Sequence, residues 1–261
     1  MKVGIIGYGY VGKAVASSYP EEALLINDPV YSNSASVQQI KEECDGIFVC
    51  VPTPQGDTGE CDTSILESVL EQLRGYTGLV IAKSTASPQV YTFLERSSGL
   101  KLAHVPEFLT QANAINDYLN PAKIVIGCNH TLWNEVTAFV LTEKINHSGF
   151  VQCCTIGEAS FFKYMANTML AMKVIINNEF YNLAEKMGVR WDIVSHIAST
   201  DSRLGDSHWR VPGPDGSRGF GGACFPKDTA ALATLAEDLG VEVSMLNQAI
   251  IRNFELRGQS K

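Results

Sequence analysis

The sequence predicts an α/β protein: a doubly wound parallel sheet in the N-terminal part, followed by an α-helical domain with a long central helix. Three observations predict it. Short, near-continuous apolar runs alternate with helical segments over the first half of the chain; a glycine-rich turn follows the first of these runs; and from about residue 150 the alternation gives way to unbroken helical periodicity.

Residues 2 to 7 are a β-branched run that stops at glycine, and residues 11 to 19 then take helical spacing. Residues 24 to 26, ending in Asn27 and Asp28, and residues 46 to 51, 78 to 82 and 123 to 127 repeat the pattern. Strands apolar on both faces belong to a parallel sheet covered by helices on each side. From Glu158 to about Met187 there is no proline and no glycine, which predicts a helix of roughly 30 residues, about 45 Å long. Its apolar stripe runs through Phe161, Met165, Met169, Met172, Ile176, Phe180 and Leu183, and it fits either a core helix or a helix that also forms a dimer interface. Residues 205 to 224 are rich in Gly and Pro; a loop of that length is uncommon unless functional or disordered. A last helical stretch covers residues 228 to 257. The expected division is a dinucleotide-binding domain over residues 1–150 and a helical dimerisation and catalytic domain over residues 151–261.

A chain of 261 residues is long enough for two modest domains, and 45% apolar with 18% charged residues suits a globular protein. The net charge of -8, without any run of Lys or Arg, argues against nucleic acid or an anionic membrane as partner. The apolar runs are of strand length, far below the roughly 20 residues that cross a bilayer. Seven cysteines without C-x-x-C spacing, and a chain that opens directly in a strand, predict a reduced cytoplasmic protein with no metal site.

Gly7, Gly9 and Gly12, with Tyr8, Tyr10 and Val11 between them, fit G-x-G-x-x-G between the first strand and the first helix. The glycines permit a tight turn and close approach of a pyrophosphate to the helix N-terminus, so the first domain reads as a Rossmann-type nucleotide fold. Asp28 at the end of the second strand can accept from ribose hydroxyls and would repel a 2'-phosphate, which favours NAD over NADP; a turn-forming aspartate before Pro29 is the other reading. Cys224 lies between glycines 221 and 222 and a helix start carrying Lys227 and Asp228. Electropositive surroundings at a helix N-terminus favour thiolate, and Asp228 could act as base or cap. Lys163 and Asn167, four apart on the long helix, share a face from which both can donate to a developing oxyanion; alone they would be an ordinary solvated pair.

These stretches together resemble the UDP-glucose/GDP-mannose dehydrogenase family from residue 2 to about 250. Residues 7 to 12 resemble its G-x-G-Y-V-G, residues 51 to 54 with Asp62 its V-P-T-P segment, and Lys83, Ser84 and Thr85 its S-T motif. Residues 106 to 109 resemble P-E-F-L, Lys163 and Asn167 K-x-x-x-N, residues 201 to 205 D-x-R-I-G, and residues 220 to 228 G-F-G-G-x-C-x-x-K-D. The resemblance implies oxidation of a nucleotide sugar's primary alcohol to the carboxylate in two hydride transfers to NAD, with Cys224 as nucleophile and a thioester released by water. It implies that Lys163 and Asn167 stabilise oxyanions, and that Asp228, Glu107 and Thr85 manage protons. Gly7, Gly9, Tyr10, Val11, Gly12, Asp28, Pro52, Thr53, Thr85 and Lys227 would touch the cofactor. Glu107, Phe108, Leu109, Phe220, Gly221 and Gly222 would join Lys163 and Asn167 on the sugar nucleotide, with Arg203 reaching it across a homodimer.

Three departures stand out. The likeness stops before the third, nucleotide-gripping domain usual in the family, so some uridine and phosphate contacts are expected to be absent. Thr110 and Gln111 follow P-E-F-L in place of Arg-Glu, and Ser87 stands where Pro is usual. UDP-glucose is the expected substrate from residues 213 to 222, with GDP-mannose or a UDP-N-acetylhexosamine as alternatives. A β-hydroxyacid dehydrogenase shares the two-domain plan but needs no cysteine; a non-catalytic nucleotide-binding scaffold would not need the reactive residue types.

Overall fold

The computed structural model describes residues 1–147 and 149–258. The chain forms two compact units: one of Met1–Pro54 with Cys61–Lys163, the other of Gln55–Glu60 with Tyr164 onward.

The first unit is built on seven strands, β1 (Val3–Ile6), β2 (Leu24–Asn27), β3 (Gly46–Val49), β4 (Leu79–Ala82), β5 (Lys101–His104), β6 (Lys123–Cys128) and β7 (Phe150–Cys154). Their order is β2-β1-β3-β4-β5-β6-β7. The connecting helices are α1 (Tyr10–Ala16), α2 (Val37–Glu43), α3 (Ser64–Gln72), α4 (Pro88–Ser97), α5 (Ala114–Leu119) and α6 (Trp133–Val140). The doubly wound sheet is as expected, with one difference: β5 and β6 are antiparallel, whereas every other neighbouring pair is parallel. An antiparallel neighbour needs no crossover to the opposite edge. The chain from residue 105 to 122 therefore starts and ends at the carboxyl edge of β5, which is where Glu107 lies.

Alternation along the strands divides the core. Val3, Ile5, Phe48 and Ile81 pack with Val15, Tyr19 and Phe139 in one cluster, and Ile6, Ile47, Val49 and Val80 pack with Ile40, Leu66, Leu70 and Tyr91 in another. Each large side chain buried this way contributes roughly 1.5–3 kcal/mol. Two strands escaped the sequence pattern. β5 is a four-residue Lys-Leu-Ala-His segment with only two aliphatic side chains, and β7 begins with an exposed Phe150 and carries Gln152 between apolar neighbours.

Helix α7 (Ile156–Met187) runs 32 residues. Thr155 and Glu158 form a reciprocal cap at its start, with the Thr155 N–H on Glu158 Oε2 at 2.8 Å and the Glu158 N–H on Thr155 Oγ1 at 3.3 Å. Gly188, at φ +68°, ends it: the N–H groups of Gly188 and Val189 bond back to the carbonyls of Glu185 and Ala184. The second unit adds α8 (Trp191–Ser199), α9 (Phe225–Asp238) and α10 (Ser244–Arg257). Its small core holds Ala171, Ile175, Phe220 and Ala249, with Met172 and Phe225 against it. The long stripe is thereby split. Met172 is half-buried against this core, whereas Phe161, Met165, Met169, Ile176, Phe180 and Leu183 are exposed. Among the described residues, no helix is long and apolar enough to cross a membrane.

Candidate active site

In the first unit the glycine turn lies where the strand order reverses, at the carboxyl ends of β1 and β3, the position at which open α/β sheets bind ligands. Gly7 has φ +91°, and a Cβ there would come within 2.7 Å of the Cys50 carbonyl; a Cβ on Gly12 would meet the Gly7 carbonyl at 2.1 Å. Only glycine fits at either place. Nothing lies within 4 Å of a Cβ built on Gly9, which leaves room for a group against the amides that open α1. Tyr10 and Val11 are the first residues of that helix. Asp28 has a local task as well: Oδ2 accepts the Tyr8 N–H at 2.7 Å and Oδ1 the Val30 N–H at 2.9 Å. The turn reading and the ribose reading are thus compatible, since each oxygen keeps a further lone pair.

The V-P-T-P and S-T segments are tied together behind β3 and β4. Ser84 donates to the Val51 carbonyl at 2.7 Å, and the Cys61 thiol lies 3.5 Å from the Thr53 carbonyl and 3.4 Å from that of Thr85. Pro52 is exposed and Thr53 buried. The bridging role of Cys61 had no sequence signal. Ser87, one of the departures, is the N-cap of α4: its hydroxyl accepts the Val90 N–H, with Pro88 at the first helical position.

Glu107 is buried and fully engaged. Lys163 Nζ donates to its main-chain carbonyl at 2.5 Å and to Oε1 at 2.9 Å, while Oε2 accepts the Leu109 N–H at 2.7 Å. Phe108 packs edge-on to Phe162, with the Lys163 ammonium 5.4 Å from its ring centroid. Thr110, the other departure, donates its N–H and hydroxyl to Asp117 and so fastens this loop to α5. Two further buried groups lie in this cluster. Burial pushes Lys83 down to about 8, and it pushes His104 down to about 3 despite the hydrogen bond between Nδ1 and the Ala82 carbonyl.

In the second unit Cys224 is the N-cap residue of α9, its carbonyl accepting the Asp228 N–H at 2.8 Å, with Pro226 in the first turn. The thiol-bearing residue therefore stands at the positive end of a 14-residue helix. Asp228 is 1% exposed, and its oxygens accept from the Asn167 amide at 2.6 Å and from the Lys227 ammonium at 2.5 Å. Lys163 and Asn167 thus each engage a different carboxylate. Phe220 is buried, and its N–H donates to Asn253 Oδ1 at 2.7 Å; a Cβ on Gly221 would meet the Arg257 guanidinium at 2.8 Å. Phe220, Gly221 and Gly222 line a cavity of about 310 Å³ with Asn253 and Arg257. Asn253 was missed in the sequence; its signal is a polar residue on the stripe that buries Leu246 and Ala249. Arg203 is exposed and paired with Asp201 at 2.5 Å. No group of three or more His, Cys, Asp or Glu among the described residues could hold a metal ion.

Residues 23–143 match the model of the UDP-glucose/GDP-mannose dehydrogenase family's NAD binding domain, and residues 157–255 match that of its central domain. The chain belongs to this family. UDP-glucose 6-dehydrogenase of Rickettsia felis is 28% identical to this family member over 92% of its chain and 54% of the relative. UDP-glucose 6-dehydrogenase AglM of Haloferax volcanii is 28% identical over 96% and 69%, and the putative UDP-glucose 6-dehydrogenase YtcA of Bacillus subtilis 32% identical over 82% and 51%. The chain spans about half to two-thirds of the length of these relatives. Among solved structures, a UDP-glucose dehydrogenase from Pyrobaculum islandicum superposes with a TM-score of 0.80 at 25% identity, over 97% of this chain and 68% of that one. GDP-mannose dehydrogenase from Pseudomonas aeruginosa gives 0.68 at 25% identity, over 98% and 69%. The model matched by residues 23–143 is that of an NAD binding domain, and NAD is the cofactor the match implies. The cradle at Gly7, Gly9 and Gly12, with Asp28 beside it, fits that dinucleotide.

Proposed function

We propose that the chain oxidises the primary alcohol of UDP-glucose to the carboxylate of UDP-glucuronate in two steps, each delivering a hydride to NAD. NAD bound at the glycine turn supplies the hydride acceptor. The observation that supports the reading is the first turn of α9, where Cys224 caps the helix, its carbonyl accepts the Asp228 main-chain N–H, and the Asp228 carboxylate is buried.

The first oxidation removes a hydride and a proton from the alcohol and gives an aldehyde. The Cys224 thiolate then adds to the aldehyde carbon, and the thiohemiacetal loses the second hydride to become a thioester. Water adds to the thioester, the C–S bond breaks, and the carboxylate leaves with the thiol regenerated. Lys163 and Asn167 are the donors for the oxyanions that form at each addition. Asp228, Glu107 and a water on Thr85 move the protons. The family resemblance assigns Phe108, Leu109, Phe220, Gly221 and Gly222 to the sugar nucleotide, and Pro52, Thr53 and Lys227 to the cofactor. The test is NADH release with UDP-glucose, GDP-mannose and a UDP-N-acetylhexosamine, counting NADH per sugar consumed. Two NADH with UDP-glucose is the expected result; one NADH and a ketone product favours the hydroxyacid alternative.

The working form is a homodimer on the exposed stripe of α7, supported by six large apolar side chains left in water by the single chain. Arg203 would leave Asp201, a surface pair of little energetic weight, to bind a phosphate of the partner's substrate. Light scattering at working concentration should give twice the chain mass, and a fully active monomer would refute it.

A further inference from the structure

The antiparallel step from β5 to β6 sets Lys123, the first residue of β6, opposite the chain that follows β5, where Glu107 and Phe108 lie. The strand fixes its main chain there. Lys123 is in register with Phe150 of β7, whose N–H donates to the Ala122 carbonyl at 3.3 Å. Its ammonium lies 4.7 Å from the ring centroid of Phe108 and 5.9 Å from that of Phe162. Among the described residues it enters no hydrogen bond or ion pair, so two aromatic rings are what the charge meets.

Phe108 is held by three neighbours. Phe162 packs edge-on with centroids 5.6 Å apart, and two ammonium groups share the Phe108 ring, Lys123 at 4.7 Å and Lys163 at 5.4 Å. Both lie within the roughly 6 Å over which a ring attracts a cation. The main chain on either side of this ring takes part in seating Lys163. The Glu107 carbonyl accepts from Lys163 Nζ at 2.5 Å, and the Leu109 N–H donates to Glu107 Oε2 at 2.7 Å, which steadies the carboxylate whose other oxygen Lys163 also holds. A Phe108 ring that turned would carry that carbonyl with it. A lysine can also pack through its stem alone, and a methionine would then serve as well; the two cases differ in whether the charge matters.

We propose that Lys123 is a positioning residue: its cation–π contact fixes the Phe108 ring, and with it the Glu107 main-chain carbonyl on which Lys163 Nζ is seated, so that the Lys163 ammonium is aimed before substrate arrives. Its part in the reaction rests on the dehydrogenase reading, in which Lys163 is an oxyanion donor. The seating of Lys163 belongs to the first unit alone and is measurable without substrate.

The experiment compares Lys123→Met, Lys123→Arg, Phe108→Leu and the Lys123→Met, Phe108→Leu double variant in the whole chain. Without substrate, acetic anhydride labels lysine amines, and mass spectrometry reads the rate at Lys163 against that at Lys83, a second buried lysine. Lys123→Met should raise the Lys163 rate about fivefold or more by local loosening, with the Lys83 rate unchanged. Lys123→Arg, which keeps a cation for the ring, should stay within about twofold of wild type. An unchanged Lys163 rate in Lys123→Met overturns the proposal, and so does an equal rise at Lys83, which marks general unfolding. With a nucleotide sugar, Lys123→Met should lower kcat about fivefold while KM and NAD affinity stay within about threefold, and Lys123→Arg should recover most of kcat. In the Phe108→Leu background the same substitution should change kcat by less than about twofold; equal losses in the two backgrounds overturn the route through the ring. If Lys123→Met does not fold, Lys123→Gln replaces it under the same criteria. A wild type that reduces no NAD with any nucleotide sugar, while the labelling changes as stated, refutes the dehydrogenase reading and supports the seating of Lys163 by Lys123.

Discussion

Glu107 and Asp228 are both buried, and each has both oxygens held by N–H donors, yet the two carboxylates are built in different ways. Asp228 takes its cation from the next residue, Lys227, and its amide from Asn167, 61 positions away. Glu107 takes its cation from Lys163, 56 positions away, and its amide from Leu109, two residues on. The lysine paired with Asp228 keeps some solvent contact, whereas the lysine paired with Glu107 is as buried as the carboxylate. The difference teaches that one carboxylate is set by the first turn of a helix, beside Cys224, and the other by tertiary packing against the long helix.

Substitutions should separate the two. Asp228→Asn keeps the shape and removes the proton acceptor beside Cys224, so kcat should fall about 10²- to 10⁴-fold with little change in Tm. A kcat within threefold of wild type would remove Asp228 from proton transfer. Glu107→Gln should cost less in kcat, about 10- to 100-fold, but more in Tm, because it strands the buried Lys163 ammonium. If the order of either effect is reversed, the comparison fails. The smallest effect concerns His104, stacked on Tyr91 at the end of β5. Its depression to about 3 means that between pH 6.5 and 3 the unfolded chain binds a proton the folded one refuses, so stability is lost as pH falls. Between pH 6.5 and 5 that loss is about 2 kcal/mol. Chemical denaturation of His104→Gln should lack this slope, and an unaltered slope would contradict the assignment.

Much of this was legible because it is local. A β-branched run that stops at glycine marked β1, short apolar runs marked β3 and β4, and the G-x-G-x-x-G turn needs only neighbours in sequence. The Cys224 segment likewise carries its helix start, its cation and its carboxylate within five residues. What stayed hidden depends on long-range packing. β5 and β7 are too short and too polar for a period of two to stand out, and the antiparallel step between β5 and β6 leaves no mark in composition. The pairing of Lys163 with Glu107 and of Asn167 with Asp228 could not be read from their shared helix, which suggested one common partner. The bridging role of Cys61 needs Thr85, 24 positions away, and that of Asn253 needs Phe220, 33 positions away.

The central claim is that the Cys224 thiol turns a single oxidation into a double one. NADH formed per UDP-glucose consumed, measured for wild type and Cys224→Ala with NAD in excess, tests it most directly. The wild type should give two NADH and the carboxylate, and the variant no carboxylate, with NAD binding retained. Two NADH and UDP-glucuronate from Cys224→Ala at an undiminished rate would contradict it.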